Sequence, residues 1–135
     1  MKLSRASSYA VHGLAFLAAQ APDQPVPARV MGRNEDLPER FITKLLTRLE
    51  RAHLVHSRKG PGGGYWLARP PVRISLLEII EVIDGTIHGD APFLGNKAGQ
   101  RLRGRLQAIC EQAAEQRRAR LARVRLSQLI DKGRT

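Results

Sequence analysis

Cysteine is almost missing from this chain: Cys110 is the one such residue among 135. A single thiol excludes an internal disulfide and any metal site built from several cysteines of one chain, and it fits a reducing, cytoplasmic setting. Aromatic residues make up only 4%, which argues against proteins that hold single-stranded nucleic acid on stacked rings. Acidic residues are scarce too, 12 against 23 Lys and Arg, for a formal charge of +11 and a pI near 11.2. That surplus makes a polyanion the leading partner class without saying which polyanion. Long apolar runs are also lacking, since no stretch approaches the ~20 apolar residues that a bilayer requires. No membrane partner is expected. No serine-histidine-acid set, paired carboxylates or metal cage stands out, so an enzyme is not expected either.

What is present begins with "YAVHGLAFLAAQA", which follows Lys2 and Arg5 and has the outline of a secretory signal. His12 and Gly13 interrupt it, while Ala10, Leu14, Leu17 and Ala18 recur at helical spacing. The segment is therefore read as an amphipathic helix capped by Ser4 and running to about Gln20, where "APDQPVP" ends it. A short helix is predicted over 27–33, with Pro27 in its first turn. After the turn-like "GRNEDLP", a third helix is predicted from Glu39 to Ala52. Its apolar side is Ile42, Leu45, Leu49 and Ala52, flanked by Phe41 and Leu46. Its other side stacks Arg40, Lys44, Thr47, Arg48 and Arg51, with Thr43 beside them. A solvated charged face, partly neutralised by Glu39 and Glu50, is the plain alternative to a binding stripe.

"LVHSR" and "YWLA" favour strands and are joined by "KGPGGG", a hairpin longer than a two-residue turn. Helix, short helix, helix, hairpin is the order of a winged helix-turn-helix module. Glycines at the hairpin tip admit positive φ and leave few Cβ atoms between the chain and a phosphate backbone or minor groove. Arg58 and Lys59 then reach a negative groove unobstructed. A nucleotide-phosphate loop is excluded by spacing, because the pattern counted from Gly60 needs glycine at Tyr65 and no Gly-Lys-Ser/Thr follows.

Ser75 is placed to cap a fourth helix over Leu76 to Asp84, ended by Gly85, and 86–99 reads as a loop. A last long helix is predicted from Gln100 to Leu121, with Leu102, Leu106, Ile109 and Ala113 at the four-three-four spacing of a seam. So narrow a stripe, on an arginine-rich helix outside the module, is better satisfied by a partner chain. "VRLSQLID" reads as a short apolar tail that folds back.

The strings "MKLSRASSYAVHGLAFLA", "PERFITKLLTRLERAHLV" and "RKGPGGGYWLARPP" resemble the Rrf-two family of winged-helix transcription regulators, which includes the iron-sulfur cluster regulator. The likeness covers Met1 to about Gly85, with "RLSQLI" similar to the family's closing segment. The fold it implies is mostly α with a small β-hairpin. A DNA-binding domain over 1–85 is followed by a loop at the family's sensor position, 86–99, and a dimerisation helix with tail, 100–135. The resemblance implies a cytoplasmic homodimer on pseudo-palindromic double-stranded DNA, commonly a repressor. Carried over by position, Arg40, Thr43 and Lys44 face the major groove, Arg48 lies nearer the phosphates, and Arg58, Lys59 and Gly60 form the wing contacts. Arg5 and Ser8 match positions near the DNA backbone. Arg40 or Lys44 has the donors for guanine, and Thr43 a methyl for thymine.

One departure concerns sensing. Cluster-binding relatives place three cysteines in the loop before the dimer helix, and Gly85 to Leu106 contains none. No iron-sulfur cluster of that kind is expected, and no other cofactor or metal. Cys110 is read first as a small buried hydrophobe beside Leu106 and Ile109, and second as a redox-active thiol whose pKa the nearby arginines lower. Some relatives recruit a ligand from the partner's first helix, which is where His12 lies. Two other functions remain open on charge alone: a basic RNA-binding protein, and a protein that coats DNA without reading it.

Overall fold

The computed structural model describes residues 1–92 and 95–130. Phe93 and Leu94 of the expected loop, and 131–135 of the expected tail, lie outside the described residues. Five helices and one hairpin follow in the order α1 (Arg5–Ala18), α2 (Ala28–Asn34), α3 (Glu39–Arg51), β1 (Val55–Arg58), β2 (Gly64–Leu67), α4 (Leu76–Asp84) and α5 (Lys97–Arg123). Short 3-10 turns at Pro71–Arg73 and Leu126–Gln128 flank the last two helices.

Local chemistry accounts for the boundaries. Ser4 sits in extended backbone and its hydroxyl accepts the Ser7 N–H at 3.0 Å, capping α1. Pro27 and Pro38 occupy the same position before α2 and α3. Between those two helices Asp36 takes the left-handed conformation at φ 55°, and the Leu37 N–H donates to the Gly32 carbonyl at 2.7 Å. A Cβ on Gly32 would lie 2.6 Å from the Leu37 carbonyl oxygen, so the tight turn needs glycine there. Ser75 and Glu78 form a reciprocal capping box that starts α4.

The core is shared by every element of the module. Leu14 and Leu17 of α1, Met31 of α2, Ile42, Leu45, Leu46 and Leu49 of α3, and Ile79 and Ile83 of α4 are all buried. Ala52, expected on the apolar side of α3, is only half-buried at its C-cap, and Leu46, expected on the flank, is buried. The tail returns as expected: Leu126 is completely buried in this core. Each such leucine contributes about 1.5–3 kcal/mol through burial.

α5 departs from the predicted span at both ends. The Asn96 side chain accepts the Gly99 N–H and starts the helix at Lys97 rather than Gln100, and it continues to Arg123. Its own module covers Ala114 and Leu121. Leu102, Leu106 and Ile109 stay 53%, 43% and 61% exposed, and Ala113 is exposed as well.

Candidate nucleic-acid interface

α3 carries two opposed faces. One is buried through Ile42, Leu45, Leu46 and Leu49. The other exposes Arg40, Lys44, Thr47, Arg48 and Arg51, with Thr43 half-buried beside them. Among the described residues Arg40 and Lys44 have no ion pair and no side-chain hydrogen bond. The two threonines are already committed: Thr43 Oγ1 donates to the Glu39 carbonyl and Thr47 Oγ1 to the Thr43 carbonyl, both at 2.9 Å. Their hydroxyl protons are used inside the helix, which leaves lone pairs and a methyl group for any partner. Among the described residues Glu50 makes no ion pair with the stripe, and its Oε2 is buried without a hydrogen-bond partner.

Arg48, exposed on the same side of α3, is held by the end of α4. Its Nη2 donates to the Ile83 carbonyl at 2.7 Å and to the Val82 carbonyl at 3.2 Å, at the end of α4. Those carbonyls lie in a last helical turn, where orphan acceptors and the helix dipole both favour a cation.

The hairpin pairs Val55 with Leu67, His56 with Trp66, Ser57 with Tyr65 and Arg58 with Gly64. Its four tip glycines do two different jobs. Gly60 and Gly62 have φ of 87° and 76° with open space around them, so the backbone angle selects glycine. Gly63 and Gly64 lack room, because a Cβ would lie 2.1 Å from the Arg58 carbonyl oxygen or 2.4 Å from the Val26 carbonyl carbon. Arg58 closes its own tip by donating to the Gly62 carbonyl at 3.1 Å, while Lys59 and Gly60 are exposed.

Tyr65 and Val26 exchange two backbone hydrogen bonds of 2.9 Å, which pins the wing to the start of α2. Burial raises the Tyr65 hydroxyl pKa above its ordinary value and the Glu50 charge adds to this, against a hydrogen-bonding contribution from Thr47. The wing base therefore lies beside the exposed stripe that includes Thr47. Trp66 takes the other side of the strand and packs against His56, with ring centroids 5.8 Å apart.

Arg5 is exposed and Ser8 half-buried at the start of α1. Nearby, the Asp84 carboxylate accepts the hydroxyls of Ser4, at 2.8 and 2.7 Å, and Ser7, at 2.7 Å. Glu81 holds α5: Arg118 donates from Nε to Oε2 at 2.9 Å and from Nη2 to Oε1 at 3.0 Å. The Ile87 N–H reaches the same Oε2 at 2.8 Å. The Arg118 hydrogen bonds, helped by that N–H, keep the Glu81 carboxyl below its ordinary pKa against the opposing effect of burial. None of these ties was legible in the sequence.

The loop at the expected sensor position is held by side chains that carried no sequence signal. Gln107 accepts the Ala91 N–H and donates to the Gly89 carbonyl, both at 2.8 Å, and Arg103 Nε donates to the Ala91 carbonyl at 3.1 Å. Gly89 lies directly on Cys110, whose carbonyl oxygen would be 2.1 Å from an added Cβ. Cys110 is thus half-buried under the loop, one helical turn from Leu106 at the edge of the stripe. His12 instead meets Glu35, Nδ1 to Oε2 at 3.5 Å. Among the described residues no three His, Cys, Asp or Glu gather as metal ligands, and no helix is long and apolar enough to cross a membrane.

Comparison with known proteins agrees with this architecture. The HTH-type transcriptional regulator IscR of Cereibacter sphaeroides is 32% identical over 135 residues, covering 96% of this chain and 87% of that protein. An HTH-type regulator of Mycobacterium tuberculosis is 33% identical over 102 residues, 70% of this chain, and the match spans 63% of that regulator's length. Among solved structures, CymR, the global cysteine regulator of B. subtilis, superposes with a TM-score of 0.76 at 23% identity, covering 96% of this chain and 95% of that one. IscR of T. potens gives 0.75 at 24%, covering 100% and 92%. At these identities the two structures speak for the winged-helix fold alone. The family model described as Rrf2, iron-dependent transcriptional regulator, matches residues 3–132. These relatives are described as transcriptional regulators, and this chain, with its exposed basic helix and glycine-tipped wing, belongs to the Rrf2 (Rrf-two) family.

Proposed function

We propose that the chain acts as a homodimeric, sequence-specific repressor on a pseudo-palindromic operator. α3 enters the major groove with Arg40, Thr43 and Lys44 toward the base edges. Arg58, Lys59 and Gly60 of the wing lie along the minor groove, and Arg5 and Ser8 meet the backbone. The observation that carries this reading is the state of Arg40 and Lys44: among the described residues both cations are unpaired, on the exposed face of a helix whose opposite face is locked into the core. A solvated face of ordinary use is more often laced with its own ion pairs.

The dimer is supported by the exposed Leu102, Leu106 and Ile109 at seam spacing, which a second copy would cover. Iron-sulfur chemistry of the three-cysteine kind does not fit this chain, because the loop donates no thiolate and Cys110 offers a single sulfur beneath it.

Selection of duplexes from a random pool tests the reading directly. The selected sequence should form an inverted repeat and bind ~10³-fold or more tighter than random duplex at physiological salt. A ratio near one would leave a protein that coats DNA, and a preference for looped or single-stranded RNA would leave an RNA binder. Transcription in vitro from a promoter overlapping the selected site should fall when the protein is added; a rise would make it an activator.

A further inference from the structure

Four consecutive residues in the last turn of α4 reach into different parts of the molecule. Glu81 receives the paired hydrogen bonds of Arg118 from α5 and the Ile87 N–H from the loop. The Val82 and Ile83 carbonyls accept Arg48 from α3. Asp84 accepts Ser4 and Ser7 at the start of α1.

The charges sit where helix ends favour them. Arg48 lies at the C-terminal end of α4, and the Asp84 carboxylate lies at the N-terminal end of α1. Hydrogen bonds to a charged group are among the stronger ones in proteins, so these contacts restrain angles as well as distances. α3 and the start of α1 carry the proposed DNA contacts, and α5 carries the proposed seam.

We infer that this turn of α4 sets the angle of the recognition helix relative to the dimer helix. Arg48 is then a positioning residue and not a phosphate contact, and operator discrimination depends on the Glu81–Arg118 pair, which does not itself touch DNA. The physical reason lies in the spacing of a palindrome. Two recognition helices of one dimer must meet grooves about 34–36 Å apart. A small rotation of α3 misplaces both sets of base contacts while leaving sequence-independent attraction to phosphate largely intact. The inference rests on the proposed mode of DNA binding.

The test compares wild type with Arg48→Lys, Arg48→Gln, Glu81→Gln and the Glu81→Gln/Arg48→Lys double variant, on the duplex that wild type selects and on random duplex. Arg48→Lys keeps the charge but loses the planar fork, and its preference for the selected duplex should fall about tenfold. Arg48→Gln should lose preference while its salt slope on random duplex stays that of wild type. Glu81→Gln should lose preference with its mass by light scattering unchanged, and the double variant should be no worse than the poorer single one. Preference retained by Arg48→Lys, a slope smaller by about one in Arg48→Gln, or additive losses would each overturn the inference. If Arg48→Gln does not fold, Arg48→Lys decides alone. A wild type that selects no sequence would sink the functional reading, whereas a selective wild type matched by Arg48→Lys would sink only this one.

Discussion

Leu126 and Ile74 are both completely buried, and the Leu126 N–H donates to the Ile74 carbonyl at 2.8 Å. The Leu76 N–H donates back to the Val124 carbonyl at the same distance, so the chain beyond α5 is stitched to the segment that leads into α4. Leu126 is thus a core residue of the winged-helix module, although α5 and the loop separate it from that module in sequence. Leu126→Ala should destabilise the protein by about 2–5 kcal/mol, as large-to-small changes at closed sites do. Denaturant unfolding measures this, and a loss well below that range would place the tail outside the core.

Glu81 adds a dependence on pH. Its carboxyl titrates below the ordinary value of 4.5 because Arg118 and the Ile87 N–H stabilise the charged form. A carboxyl depressed in the folded state stabilises it above the unfolded value, and that contribution is lost as pH falls through the folded value. Glu81→Gln should therefore lower the thermal midpoint at neutral pH, with a deficit that shrinks as pH drops through 4.5 and below. An equal deficit at pH 7 and in acid would show that the ionised carboxylate is not what holds Arg118.

The contrast between α4 and its surroundings shows what a sequence can express. Ser75 and Gly85 are local signals, and they placed α4 at Leu76–Asp84 in full agreement with the structure. The periodicity of α3 likewise separated its core face from its basic face, and the glycines located the wing. The roles of Arg48, Asp84, Glu81 and Gln107 were not legible for a common reason. Each bonds a partner 16 to 80 residues away, in several cases a backbone atom that any sequence would supply. Asn96 is the exception, since an asparagine cap before Lys97 is a local signal and was passed over.

The two kinds of tip glycine predict different mutant behaviour. Gly62→Ala meets no neighbour within 4 Å and carries only the strain of φ 76°, about 1–2 kcal/mol. Gly64→Ala forces a Cβ to 2.4 Å from the Val26 carbonyl carbon and disturbs the bridge between Val26 and Tyr65. It should cost more stability than Gly62→Ala and should also weaken DNA binding by shifting the wing. Equal unfolding midpoints for the two variants would refute this division of roles.

Ile109 lies at 61% exposure on the stripe with Leu102 and Leu106. Within one protomer an aspartate there displaces little buried surface, so Ile109→Asp should leave each module folded. Against a second copy it places a carboxylate in an apolar seam, where an unpaired charge is unfavourable. Light scattering should report half the wild-type mass, with far-ultraviolet circular dichroism retained. Wild-type mass in the variant would remove this stripe from the dimer interface.

Lys44 and Lys59 are both exposed cations, and the proposed complex gives them different work. Lys44 sits among the base-facing side chains of α3, so Lys44→Ala should change which duplex is preferred, by about 1–3 kcal/mol at the affected base pair. Lys59 stands at the bare tip of the wing, where its partner is phosphate or the negative potential of a narrow groove. Removing it should weaken binding to every duplex alike and reduce the slope of log affinity against log salt by about one. The two signatures separate base reading from charge attraction. If Lys44→Ala weakens all duplexes equally, α3 holds the backbone without reading it. If Lys59→Ala leaves the slope unchanged, the wing does not lie on the phosphates.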